Sequence, residues 1–133
     1  MNGAKVRAYS KAKDGNKKVS AHFKVREFAC QDGSDAVFIS EELVELLEKI
    51  RVHFGKPTTI NSGFRTAAHN KKVGGAAQSQ HCFGMAADIV VRDIYPIKVA
   101  EYADKLLGNK GGVGRYDTFT HVDVRATKSR WNG

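Results

Sequence analysis

Within Ser79-Gln80-His81-Cys82-Phe83-Gly84-Met85-Ala86-Ala87-Asp88, a histidine is followed by six residues and then an aspartate. Asp88 runs into the apolar Ile89-Val90-Val91, which places it at the mouth of a strand. His81 lies in the turn or short helix before it, which Gly84 lets bend back. A neutral imidazole and a carboxylate on two such elements can converge on one cation. Zinc accepts this nitrogen-plus-oxygen mixture and keeps a position open for water when three protein ligands bind. The spacing alone does not single out a metal site, because most His and Asp residues at this separation are unrelated surface groups. A third ligand candidate, His121, stands in Thr118-Phe119-Thr120-His121-Val122-Asp123-Val124-Arg125. Phe119, Val122 and Val124 give that run strand character, and alternation puts His121 and Asp123 on one face. Two such strands side by side would build the site on rigid backbone.

The clearest element is a helix from Ser40 to Phe54. Ser40 is an N-cap, Glu41 and Glu42 complement the first-turn dipole, and Gly55 followed by Pro57 ends it. Leu43, Leu46, Leu47, Ile50 and Phe54 form one buried stripe. Thr58–Ser62 reads as a strand leading to Arg65, and Thr66 caps a short helix through Val73. Arg65 thus sits at a strand-to-helix corner, where side chains often line sites. Ala87–Val91 and Val113–Tyr116 read as strands, with a second helix from Pro96 to Leu107. Val6, Ala8 and Tyr9 suggest a short edge strand. Val19–Cys30 reads as a packed turn or short helix, residues 31–35 as a loop, and Trp131 as tucked onto the body.

One domain is expected from 133 residues. The organisation expected is a basic N-terminal arm, residues 1–18, and a folded domain, residues 19–133. Lys and Arg number 22 against 14 Asp and Glu, a net charge of +8. Lys5, Arg7, Lys11, Lys13, Lys17 and Lys18 against Asp14 concentrate that excess in the arm. An anionic partner is implied, or a solvated arm that aids solubility. No apolar run approaches a membrane span, and the N-terminus lacks the apolar core of a secretory signal. Cys30 and Cys82 form no CxxC pair and read as free thiols, Cys82 adjoining a ligand candidate. There is no HExxH and no Gly-x-Ser-x-Gly, which speaks against zincin and serine-hydrolase chemistry.

With Arg65, the 79–88 stretch and His121-Val122-Asp123 together, the chain resembles the peptidase M15 family, the zinc D-alanyl-D-alanine carboxypeptidase-like enzymes. That group shares its core fold with lysostaphin-type peptidases and hedgehog domains. The resemblance extends through His22–Phe28, Asn61-Ser62-Gly63-Phe64-Arg65-Thr66, Asn70, Val73-Gly74-Gly75, Gly111-Gly112-Val113-Gly114 and Arg130-Trp131. It implies an α+β fold, a small antiparallel sheet carrying a zinc site and flanked by helices. It implies one Zn2+ per chain on His81, Asp88 and His121, with Arg65 binding substrate near the scissile bond beside Ser79 and Gln80. The substrate implied is a peptidoglycan stem peptide or cross-link, cut by a carboxypeptidase or endopeptidase.

Many relatives carry an acid three residues before the last histidine ligand; here that position is Thr118. Asp123, as base or as support for the ligand, and then Asp117 are the carboxylates expected to matter. The expected setting is a monomer made in the cytoplasm that acts on the cell wall after lysis or by a phage-encoded route. The basic arm would dock on the anionic wall. The alternative is a zinc-containing wall-binding or signalling module without catalysis, kept open by Thr118. A nucleic-acid-binding protein rests on net charge alone and is disfavoured.

Overall fold

The computed structural model describes residues 5–133. Strand β1 (Val6–Ser10) runs into a one-turn helix, α1 (Lys11–Asp14), capped by Ser10. β1 pairs antiparallel with β2 (Ala36–Ser40) in a two-stranded sheet. Between them a 3-10 turn, Val25–Phe28, buries Val25 and Phe28. β2 feeds directly into α2 (Glu41–Phe54), with Ser40 Oγ accepting from the Leu43 N–H and Gly55 closing the helix in the left-handed region. Leu43, Leu46, Leu47 and Ile50 are buried along one side, each contributing about 1.5–3 kcal/mol by leaving water.

The second sheet has five strands in the order β3-β4-β6-β5-β7. They are β3 (Thr58–Ser62), β4 (Ala86–Val91), β5 (Gly112–Arg115), β6 (Thr120–Asp123) and β7 (Ser129–Asn132). All neighbours are antiparallel except β5 and β7, which are parallel. α3 (Ala67–Lys72) follows β3, capped by Thr66 Oγ1. α4 (Pro96–Leu107) lies on β5 and β6, and α2 on β4 and α4. Alternation divides the sheet. Ala87, Ile89 and Val91 of β4, Val113 of β5 and Val122 of β6 join the apolar core beneath the helices. Asp88, His121, Asp123, Gly112 and Gly114, on the alternate positions, face the other way. Thr120, fully buried on the helix side, donates its hydroxyl to Pro96 O at 2.8 Å and ties α4 to the sheet.

The architecture is α+β, with four departures from the sequence reading, of which the first is β7, where only a tucked Trp131 was expected. β2 was not expected: Phe38 is partly exposed and Val37 and Ile39 are buried, but five residues gain a ladder only when β1 comes alongside. The expected strand 118–125 is cut to Thr120–Asp123, because residues 116–119 form a bend. Most consequentially, residues 5–18 are not a separate arm. β1 pairs along its length with β2, Lys17 O accepts from Val25 N at 3.0 Å, and Gly15 O from Arg26 N at 3.0 Å. The chain starts folding before residue 18 because Tyr9 and Val19 find apolar partners on the core. Residues 1–4 of the expected arm lie outside the described residues.

Candidate metal centre

β4 and β6 are neighbours whose register sets Asp88 directly opposite His121. His81 reaches them from a 3-10 turn, Gln80–Phe83, closed by Gly84 at φ 72°. A side chain at Gly84 would both strain that φ and collide with the backbone of Phe38. β2 thus pins the turn, and Ser40 N donates to Gly84 O at 2.8 Å. Ser79 Oγ accepts from the His81 N–H, and Arg65 N donates to His81 O at 3.1 Å. The ring is fixed as well. His81 Nδ1 lies 2.8 Å from the carbonyl of Gly63, which can only accept, so Nδ1 carries the hydrogen and Nε2 offers a lone pair.

That Nε2 is 3.3 Å from Asp88 Oδ1, and His121 Nδ1 is 3.0 Å from the same oxygen. The three side chains present donor atoms all within 4.8 Å of one another, and all three are buried. Ligands about 2.0–2.1 Å from a tetrahedral zinc stand about 3.3 Å apart, so a small cation fits this donor set with little movement. Two neutral imidazoles and one carboxylate are also the donor types zinc prefers. Burial alone would raise the Asp88 carboxyl, but in the metal-free protein its close contacts with His121 and His81 outweigh that and hold Asp88 well below the usual carboxylate range. For His121, burial lowers the value; hydrogen bonds to Asp123 and Asp88 prevail and raise it.

The other nitrogen of His121, Nε2, is 2.8 Å from Asp123 Oδ2. Asp123 is fully buried. Arg125 grips it from the far side, with Nε to Oδ1 at 2.9 Å and Nη2 to Oδ2 at 2.7 Å. Burial works against the Asp123 charge, yet bonds from His121 and Arg125 keep this carboxyl ionised far below its ordinary range. Gly112 lies opposite Asp123, and a β-carbon there would overlap the carboxylate. At Gly114, opposite His121, it would come within 2.6 Å of the Trp131 ring. The two glycines make room for these side chains.

The centre lies at the floor of a cleft of about 600 Å³. Arg65, Ser79, Gln80, Tyr116, Phe119 and Trp131 are among the residues that line it. Arg65 donates from Nε to Ser62, from Nη1 to Asn70 and from Nη2 to Asp88 Oδ2 at 3.3 Å. Asn70, nearly buried, in turn donates to Ala76 O. Asp117 is exposed in the 116–119 bend, outside the lining, as is Thr118. Asp88 is the sole carboxylate of the lining among the described residues. Cys82 is not in the donor cluster, and Cys30 is buried near Thr66. The remaining histidines lie elsewhere: His22 pairs with Glu48, His53 stacks on Tyr102, and His69 is in α3. Sequence reasoning missed Gly63 O, Tyr116 and Arg125. For Arg125 alone a signal existed, since it continues the two-residue alternation of His121 and Asp123.

The family model for Peptidase M15 matches residues 21–123. The chain belongs to the peptidase M15 family. Its matched span runs from the residue before His22 to Asp123 and includes all three residues of the donor cluster. A 34-residue segment is 53% identical to the zinc D-Ala-D-Ala carboxypeptidase of Streptomyces albus G. That segment covers 26% of this M15 chain and 13% of the relative. Among the described residues, no helix is long and apolar enough to cross a membrane.

Proposed function

We propose that this chain is a zinc peptidase that hydrolyses an amide bond in peptidoglycan stem peptides or their cross-links. The observation that carries the reading is the convergence of His81 Nε2, Asp88 and His121 Nδ1 beside Arg65 on the floor of an open cleft. A D-amino-acid substrate is supported by the activity that names the Streptomyces relative, over the short segment it shares. Zinc on these ligands would polarise the scissile carbonyl and lower the pKa of water.

The protein's own groups divide the remaining work. Arg65 is held by Ser62, Asn70 and Asp88. Its guanidinium stands ready beside the ligands to stabilise negative charge developing on the carbonyl oxygen. Asp123, with both oxygens engaged, acts as a positioning residue for His121 rather than as a base. The proton acceptor proposed is Asp117. It is exposed, has no hydrogen-bond partner among the described residues, and sits in the bend that carries Tyr116 and Phe119 into the cleft. Catalytic contacts often close only when substrate arrives. Asp117 would take a proton from the attacking water and return it to the leaving amine. The basic residues of β1 and α1 are proposed to favour the anionic wall.

A second reading, a zinc-containing wall-binding module without catalysis, is favoured by one observation: among the described residues the cleft lining holds no carboxylate besides Asp88. Incubating zinc-loaded protein with purified peptidoglycan and identifying released fragments by mass spectrometry separates the two. Release of D-alanine or of cleaved cross-links is expected. Stable binding with intact wall would support the module.

A further inference from the structure

The cleft holds a second arginine whose hydrogen-bonding capacity is not used up. Arg125 meets Asp123 side-on, through Nε and Nη2, and its guanidinium lies over Trp131 with 5.4 Å to the ring centroid. A buried carboxylate and an indole face therefore hold its plane. Nη1 has no acceptor among the described residues, and Nη2 uses one of its two N–H groups. Together they form the end edge of the fork, the geometry that takes a second carboxylate bidentately. The side chain is 28% exposed and lines the cleft. Arg65, by contrast, has an acceptor on each of its three nitrogens.

We infer that Arg125 binds the free C-terminal carboxylate of the peptide substrate and so biases this site toward carboxypeptidase cleavage. The inference rests on the peptidase reading above. The placement suits it. Arg125 is two hydrogen bonds beyond the His121 ring, so it is close to the ligands without competing for them. The C-terminal carboxylate of a one-residue leaving group lies only about one residue length, about 3.8 Å, beyond the scissile bond. Charge suits it too, because the cleft lining carries Arg65 and Arg125 against Asp88 alone as its carboxylate.

The probes are diacetyl-L-Lys-D-Ala-D-Ala and its C-terminal amide, tested on the zinc-loaded full chain, R125Q and R125K. The wild type is expected to favour the acid about tenfold or more, chiefly through KM, the scale of a lost charged hydrogen-bonded pair. R125Q is expected to bring the acid-to-amide ratio to about one, and R125K, a point charge without the fork, to leave it in between. If Arg125 only braces Asp123, both substrates slow by the same factor and the ratio stays, which overturns the inference. So does a wild type that cleaves acid and amide equally. Trp131 is the sole tryptophan, and its contact with Arg125 makes fluorescence a second readout, taken on chelated protein so that nothing turns over. A response to the acid and not the amide, absent in R125Q, supports the inference; equal responses overturn it. Should the wild type cleave neither probe nor purified peptidoglycan, the peptidase reading fails while this titration still decides the role of Arg125.

Discussion

His121 Nε2 stands 2.8 Å from Asp123 Oδ2, on the ring nitrogen opposite the one that faces Asp88. The carboxylate accepts a hydrogen there, which leaves the lone pair of Nδ1 for a metal. An imidazole backed this way is fixed in tautomer and orientation. Asp123→Asn would weaken that support and leave Arg125 without its anionic partner. A 10–100-fold loss of zinc affinity is expected, the usual scale for such backing groups. Competition with a chromophoric chelator measures it; unchanged affinity would remove Asp123 from this role.

Asp117→Asn should have the opposite profile. It touches none of the three ligands, so zinc content stays full by elemental analysis. Loss of a general base costs about 10²–10⁴-fold in rate. A variant that keeps wild-type turnover would mean that another group takes the proton.

Replacing His81, Asp88 or His121 with alanine removes one of three donors on a buried site. Each variant should purify with little zinc, and chelation should abolish wall hydrolysis that zinc restores. Full zinc content in His121→Ala would rule the site out.

The cluster also sets a pH dependence. Without metal, His121 is raised and Asp88 and Asp123 are depressed. The histidine contribution is complete below its unfolded value and fades as pH rises through its folded one. The carboxylate contributions are complete above theirs and fade in acid. Metal-free protein should therefore draw most stability from this cluster between about pH 4 and about pH 6.5. Zinc requires His121 deprotonated, so the Tm gained on zinc loading should grow as pH rises above about 6.5 and through the raised value of His121. Thermal scans with zinc and with chelator test this, and a gain that is flat with pH would contradict it.

Deleting residues 1–18 should lower Tm, because it strips β1 from β2 and uncovers the core beside Tyr9 and Val19. A truncated chain as stable as the full one would restore the picture of a separate arm.

What the sequence determined by itself is local. Ser40, the leucine stripe and Gly55 specify α2, since caps and periodicity act within one element. Alternation from His121 to Asp123 to Arg125 already puts all three on one side of a strand. His81, Asp88 and His121 were named together by the family resemblance, which rests on motifs. Tertiary structure decided which donors meet which. The β4–β6 register brings Asp88 opposite His121, and the carbonyl of Gly63, eighteen residues before His81, selects its free nitrogen. It likewise engaged both oxygens of Asp123, which sequence left open as base or as support for the ligand, with His121 and Arg125. It made β1 and β2 one ladder where sequence suggested an arm and left residues 36–39 unassigned. Hydrogen bonds between distant strands leave no periodic trace in either partner, and so they become visible only when the chain is folded.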